Sequence, residues 1–132
     1  MEIYKRECII SSMIAPLTVV DWEKVPEEKL SENISRRLVY MDKVMMARLF
    51  IRKGTVVPEH HHENEQITWV FKGALEFRIQ GKTVIVGENR FILIPSNVPH
   101  SAKAIDDTVE VDIFSPVRKD WLEGKDSYLR NT

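Results

Sequence analysis

From Leu38 to Pro116 the chain is written in short apolar or alternating runs, each closed by turn residues, and few folds accept such a text. The runs are LVYM, VMMARLFI up to Lys53-Gly54, ITWVF up to Lys72-Gly73, ALEFRIQ up to Gly81, TVIV up to Gly87, RFILI up to Pro95, HSAKA up to Asp106-Asp107, and VEVDIF up to Ser115-Pro116. Leu75, Phe77 and Ile79 fall on one side of their run and Glu76 and Arg78 on the other, the period of a half-buried strand. Val84 to Val86 and Phe91 to Ile94 are continuous apolar runs, the pattern of strands in the middle of a sandwich. No stretch after Arg37 keeps a helical period for three turns. About eight short strands so punctuated predict an all-β domain, a jelly roll or a closed antiparallel barrel.

The flanks read differently. Asp21 to Arg37 is charged and aperiodic, which predicts an entry loop with at most one helical turn. The tail from Arg118 to Thr132 is polar and irregular, with Trp121, Leu122, Tyr128 and Leu129 as anchors for a cap. The expected division is an N-terminal arm and entry loop over residues 1–37, a barrel over 38–118 and a C-terminal cap or tail over 119–132. Cys8 to Val20 loosely imitates a signal peptide behind Lys5 and Arg6. Glu2, Glu7, Ser11, Ser12, Pro16 and Thr18 break that pattern, and the run is too short to cross a bilayer. It reads as a strand or arm packing on the domain.

Charge and cysteine narrow the setting. Nineteen basic residues against 20 acidic give a net charge of −1, which offers no footprint for nucleic acid or an anionic membrane. The single cysteine, Cys8, cannot form an intrachain disulfide, so the default expectation is a reduced, cytoplasmic setting and an inert thiol.

Function is carried by the histidines, of which there are four: His60, His61, His62 and His100. Neutral imidazole is the commonest side-chain ligand for borderline transition metals. On an extended segment His60 and His62 point to one side and His61 to the other, and Gln66 shares the parity of the first two. A solvated loop beside two acids is the plain alternative. Against it stand Gly54 before the triplet, Gly73 after Gln66, and a second segment in which Pro95 and Pro99 stiffen the approach to His100.

Gly54-TVVPE-His60-His61-His62-ENE-Gln66-ITWVFK-Gly73 resembles the first motif of the cupin family: a glycine, HxH, an acid and a glycine. Gly87-ENRFILI-Pro95-SNVP-His100 resembles the second, which ends in a third histidine ligand. Gln66 stands where most cupins have glutamate, Asn97 where glycine is usual, and the gap from Gly87 to Pro95 is slightly long. The resemblance implies a double-stranded β-helix holding one divalent transition metal ion (nickel, zinc, manganese or iron) through His60, His62, Gln66 and His100. Three imidazoles and an amide leave such an ion its full charge, which suits Lewis-acid chemistry better than oxygen activation. Glu65 is the rival fourth ligand, with the opposite parity.

In the last run Val109, Val111 and Ile113 share one face, and Glu110, Asp112 and Phe114 the other. A solvated exterior accounts for Glu110. Asp112 beside Phe114 fits the mouth of the barrel better, where a buried acid near a cation can serve acid–base chemistry. Arg118 follows a Ser-Pro-Val turn and is either a surface charge or a guanidinium folded over the opening. The string DIFSPVRKDWL, from Asp112 to Leu122, and EQITWVFKGALEF, from Glu65 to Phe77, are similar to the pectin-degradation cupins of the KdgF group. That similarity implies an enzyme acting on 4,5-unsaturated uronates, anionic sugar acids released by pectin or alginate lyases. Asp112 would move the proton, Phe114 would shape the pocket, and Arg118 would bind the carboxylate. Rival readings are another cupin enzyme, a dioxygenase or a lyase, and a non-catalytic module that binds metal or a small acid.

Other residues are assigned to the scaffold. Arg48 reads as a surface or barrel-end charge, Met41, Met45 and Met46 as core filler, and Trp69 and Phe71 as packing on the face opposite Gln66. An apolar arm and free strand edges suit a homodimer.

Overall fold

The computed structural model describes residues 17–132. Ten strands are present among them: β1 (Glu28–Lys29), β2 (Ile34–Tyr40), β3 (Met45–Ile51), β4 (Val56–His60), β5 (Glu65–Lys72), β6 (Leu75–Ile79), β7 (Lys82–Val86), β8 (Arg90–Ile94), β9 (His100–Ala104) and β10 (Thr108–Ser115). A 3-10 turn at Trp22–Lys24 precedes them, and two single-turn helices follow, α1 (Lys119–Leu122) and α2 (Ser127–Arg130). All pairings are antiparallel, in a six-stranded sheet ordered β1-β2-β3-β10-β5-β8 and a four-stranded sheet ordered β4-β9-β6-β7. This is a jelly roll. Among the described residues no ladder joins the two sheets, so of the two forms expected from the sequence, a jelly roll or a closed antiparallel barrel, it is the jelly roll, open between its sheets.

Strand period decides what lies inside. The core is formed by the inward residues of both sheets, among them Leu38, Met45, Ala47, Leu49, Val70 and Phe77. Gly73 turns the chain between β5 and β6 at φ +90°, and a Cβ there would strike the Asp107 carbonyl and lie 2.6 Å from the Thr108 hydroxyl. The glycine of the motif is thus a requirement of close backbone approach.

Several expectations are corrected. The segment read as an entry loop contains β1 and the start of β2. Ile34, Arg36 and Leu38 alternate inward, and the pattern was hidden because Arg36 carries its charge into the interior. There it meets Asp126 at 2.9 Å and Glu28 at 3.0 Å. The continuous runs in β7 and β8 belong to edge strands; Ile85, Phe91 and Leu93 are exposed, so the second apolar face is a surface. Met45 is core, but Met41 and Met46 are exposed, since Met46 is out of phase with the inward residues of β3. Arg48 lies on the outer face with an ion pair to Glu23 at 3.2 Å, as expected. Trp69 and Phe71 stand together on the outside, ring centroids 5.0 Å apart.

Of the N-terminal arm, Leu17, Val19 and Val20 are exposed and form no strand; Cys8, Ser11 and Ser12 lie outside the described residues. No helix among the described residues is long and apolar enough to cross a membrane.

Candidate metal centre and active site

His60 ends β4 and His100 begins β9, and the two are direct partners across the ladder. His62 lies two residues further along, in the connection to β5. His61, between them, is exposed. The ligand atoms of His60, His62 and His100 all lie within 4.8 Å of one another. Each ring is oriented by its own backbone: Nδ1 of His60 meets the Pro58 carbonyl at 2.9 Å, that of His62 the Asn64 carbonyl at 3.1 Å, and that of His100 the Val98 carbonyl at 2.8 Å. A carbonyl only accepts, so Nδ1 carries the proton in all three and Nε2 keeps its lone pair. Burial lowers His60 and His62 to about 4 and lowers His100 as well, which leaves the rings neutral near pH 7. Nε2 of His100 is buried without a protein partner. Three convergent, neutral, preoriented imidazoles are a donor set that fits a divalent transition metal ion.

The two motif loops are tied together by the Asn97 amide, which donates to the His62 carbonyl at 2.8 Å. Asn97 has φ 62°, the left-handed backbone usually supplied there by glycine.

From the six-stranded sheet comes Gln66, buried in β5, while Glu65 is exposed and turned away. The Gln66 amide nitrogen donates to Thr68 Oγ1 at 2.8 Å, and Thr68 donates to Asp112 Oδ1 at 2.7 Å. This chain points Gln66 Oε1 at the histidines, 3.0 Å from His62 Nε2. Two acceptors face each other there, an arrangement that a shared cation favours. Sheet register explains the chain: Asp112 of β10 lies opposite Thr68, and Phe114 opposite Gln66.

Glu110, Asp112 and Phe114 all face inward. The expected solvated Glu110 is therefore corrected: it is 2% exposed, because an unbroken ladder gives Glu110 the same inward direction as Asp112. Burial pushes the Glu110 carboxyl up, and the neighbouring Asp112 adds to the push. Asp112 is also raised by burial, opposed by hydrogen bonds from Glu110 and Thr68 and by the charges of Arg118 and His100.

Arg118 is 2% exposed, not a surface charge. Asp120 clamps it in a fork, with Nε to Oδ1 at 3.0 Å and Nη2 to Oδ2 at 2.7 Å, and Nη2 also donates to the Tyr128 hydroxyl at 2.9 Å. The guanidinium lies over Phe114 at 4.9 Å and Trp121 at 4.8 Å. Its Nη1 is buried without a protein partner. Tyr128, from α2, stacks on His60 with ring centroids 4.4 Å apart. His60, Gln66, His100, Glu110, Asp112 and Arg118 line one cavity of about 50 Å³, roofed by Trp121, Tyr128 and Leu129. At roughly 10–15 Å³ per water, that space holds only a few waters while the tail is in place.

The cupin-domain family model matches residues 48–115, just over half of the chain and both histidine segments. The chain is a cupin. Among curated proteins this cupin is 29% identical over 103 residues to the pectin degradation protein KdgF of Dickeya dadantii (strain 3937), covering 76% of the chain and 94% of that protein. Among solved structures it is similar to KdgF from Halomonas sp., with a TM-score of 0.74 and 25% identity over 79% of the chain and 99% of the other. An RmlC-like cupin from Shewanella frigidimarina NCIMB 400 shares the fold, with a TM-score of 0.73, 21% identity and coverage of 77% and 93%.

Reading the sequence missed Thr68, Glu110, Trp121 and Tyr128 as residues lining this cupin's cavity. Parity with Gln66 and Asp112 was a signal for the first two. Trp121 and Tyr128 were expected only as anchors of a C-terminal cap, and they reach the cavity because the tail folds back over it.

Proposed function

We propose that this cupin is a metal-dependent, non-redox enzyme that converts 4,5-unsaturated uronates to their linear keto form. The observation that carries the reading is the coincidence in one cavity of three buried atoms without a protein partner: Nε2 of His100, Oε1 of Glu110 beside Asp112, and Nη1 of Arg118. Similarity to two KdgF proteins supports it.

The reaction moves protons without oxidation. The anomeric hydroxyl loses a proton, the bond from C1 to the ring oxygen breaks to leave an aldehyde, and C4 gains a proton as the ring oxygen becomes the C5 ketone. A divalent ion held by His60, His62, Gln66 and His100 would polarise substrate oxygens as a Lewis acid. Asp112, buried and bonded to Thr68, is the residue that carries the proton. Arg118, already fixed by Asp120, has Nη1 free for the uronate carboxylate, and Phe114 beneath it forms an apolar floor. The reading includes a homodimer, supported by the uncovered apolar outer face of Trp69, Phe71, Phe91 and Leu93.

The test is the ultraviolet absorbance of the conjugated double bond in monomeric 4,5-unsaturated galacturonate. Metal-loaded protein should speed its decay, and Asp112→Asn should lower the rate by a factor on the order of 100 or more while metal stays bound. A wild-type rate equal to the spontaneous one, with metal bound, would reject this substrate. Equal rates for Asp112→Asn and wild type would reject the role of Asp112.

A further inference from the structure

The space beside the three histidines is closed by the C-terminal tail. Trp121 of α1 and Tyr128 and Leu129 of α2 roof a cavity of about 50 Å³, room for only a few waters. Any larger ligand reaches His60 or His100 only when that roof moves. Where α1 passes into α2 no neighbour crowds the backbone: Gly124 has φ +72°, and a Cβ there would meet nothing within 4 Å. Hydrocarbon is not all that holds the tail down. The Tyr128 hydroxyl accepts from Arg118 Nη2 and from Trp121 Nε1, each at 2.9 Å. Further along, Asp126 is held by Arg36 at 2.9 Å and by Arg130 at 2.7 Å. Charged and hydroxyl groups recover hydration when they part, so contacts of this kind oppose opening less than the same area of apolar packing.

Arg118 shows what releases the roof. The donors of a guanidinium lie in one plane and point away from its centre. Asp120 takes Nε and one hydrogen of Nη2, Tyr128 takes the other hydrogen of Nη2, and Nη1 is buried with no acceptor among the described residues. A carboxylate docking on the open end of this fork spans Nη1 and Nη2. The second of those places is the one that the Tyr128 hydroxyl fills. An ionised oxygen is the stronger acceptor for a guanidinium and a neutral hydroxyl the weaker, so the trade favours the ligand. We propose that the tail is a lid over the three histidines and that Tyr128 is its catch: the Tyr128 hydroxyl holds, at Arg118, the place that one carboxylate oxygen of an incoming sugar acid takes, so the ligand enters as the lid is released. The lid follows from the closed cavity; the exchange rests on reading Arg118 as the carboxylate binder. A neutral sugar of the same size has nothing with which to displace Tyr128, so the catch selects acids.

Two measurements on the zinc-loaded protein test this. Hydrogen exchange followed by NMR reads the lid without any ligand. The indole N–H of Trp121, buried under the tail, should be at least about 100-fold less protected than the amides of β10, because the tail opens while the sheets stay folded. Equal protection would mean that the tail leaves only when the domain unfolds, and would overturn the lid. Calorimetric titration with galacturonate, which keeps the carboxylate but lacks the reacting double bond, reads the catch. Tyr128→Phe keeps the ring over His60 and loses both hydrogen bonds, so it should bind galacturonate at least about threefold more tightly than wild type, with galactose bound by neither. Equal or weaker binding in Tyr128→Phe, galactose bound as well as galacturonate, or galacturonate bound by neither protein would each overturn the exchange at Arg118. The reaction is judged separately. A wild type that turns over no unsaturated galacturonate, while galacturonate binding tightens in Tyr128→Phe, rejects the reaction and keeps the lid and its catch. Turnover with equal galacturonate affinity in the two proteins rejects the catch and keeps the reaction.

Discussion

Each inward histidine presents the same nitrogen, because a carbonyl two residues away takes the other: Pro58 for His60, Asn64 for His62 and Val98 for His100. That device is local, and it leaves the cluster oriented to receive a metal ion. It also has a consequence for stability. His60 and His62 titrate near 4 in the folded protein against 6.5 ordinarily, chiefly through burial. Between those values the unfolded chain binds more protons than the folded one, so this contribution to stability is complete above about pH 6.5 and is lost as pH falls toward 4. In chelator-treated protein the melting temperature should therefore fall across that window, and fall less in His60→Asn. Parallel curves for the two proteins would contradict the burial of His60. At this scale much was legible. The HxH pair, Gln66 and His100 were all candidates from spacing, and the structure brings His60, His62 and His100 within 4.8 Å. Glu110 was misread although its parity with Asp112 pointed inward, because an acid on a strand normally marks its wet face.

Strand β10 shows how an element turns parity into chemistry. Strand parity from Glu110 to Phe114 sends an acid, a second acid and a ring into one cavity, while Val109, Val111 and Ile113 lie on the other face, Val111 buried there as well. The tail works by different means. Arg36 and Asp126 are both fully buried and 2.9 Å apart, Arg130 meets Asp126 at 2.7 Å, and Arg36 lies over Trp121 at 4.5 Å. This cluster locks α1 and α2 onto β2 and so holds Tyr128 over His60. Asp126→Asn leaves Arg36 buried with one partner fewer and should cost about 3 kcal/mol, read as a lower urea midpoint. An unchanged midpoint would mean that the tail is held by its apolar contacts instead. For a hexuronate, the substrate proposed above, the tail would have to yield: the space of about 50 Å³ is far below the roughly 300 Å³ at which small-molecule sites begin.

At the scale of the molecule, the outer face of the six-stranded sheet carries Met46, Ile67, Trp69, Phe71, Phe91 and Leu93 in the open. In the proposed homodimer a second copy would cover that face with twofold symmetry. Light scattering should return twice the chain mass, and Trp69→Lys combined with Phe91→Lys should return the chain mass with secondary structure intact. A wild type at the chain mass would remove the homodimer from the reading. The all-β class, the two histidine segments and the parity of residues within each run were readable in order along the chain, because strand period and turn chemistry act over a few residues. What the order of residues left open was settled by distance. The choice of an open jelly roll over a closed barrel, the ion cluster that makes Arg36 an inward residue, the tail over His60, and the burial of Glu110 all depend on segments tens of residues apart. Burial is a property of what packs against a side chain, and a strand does not carry that in its own alternation.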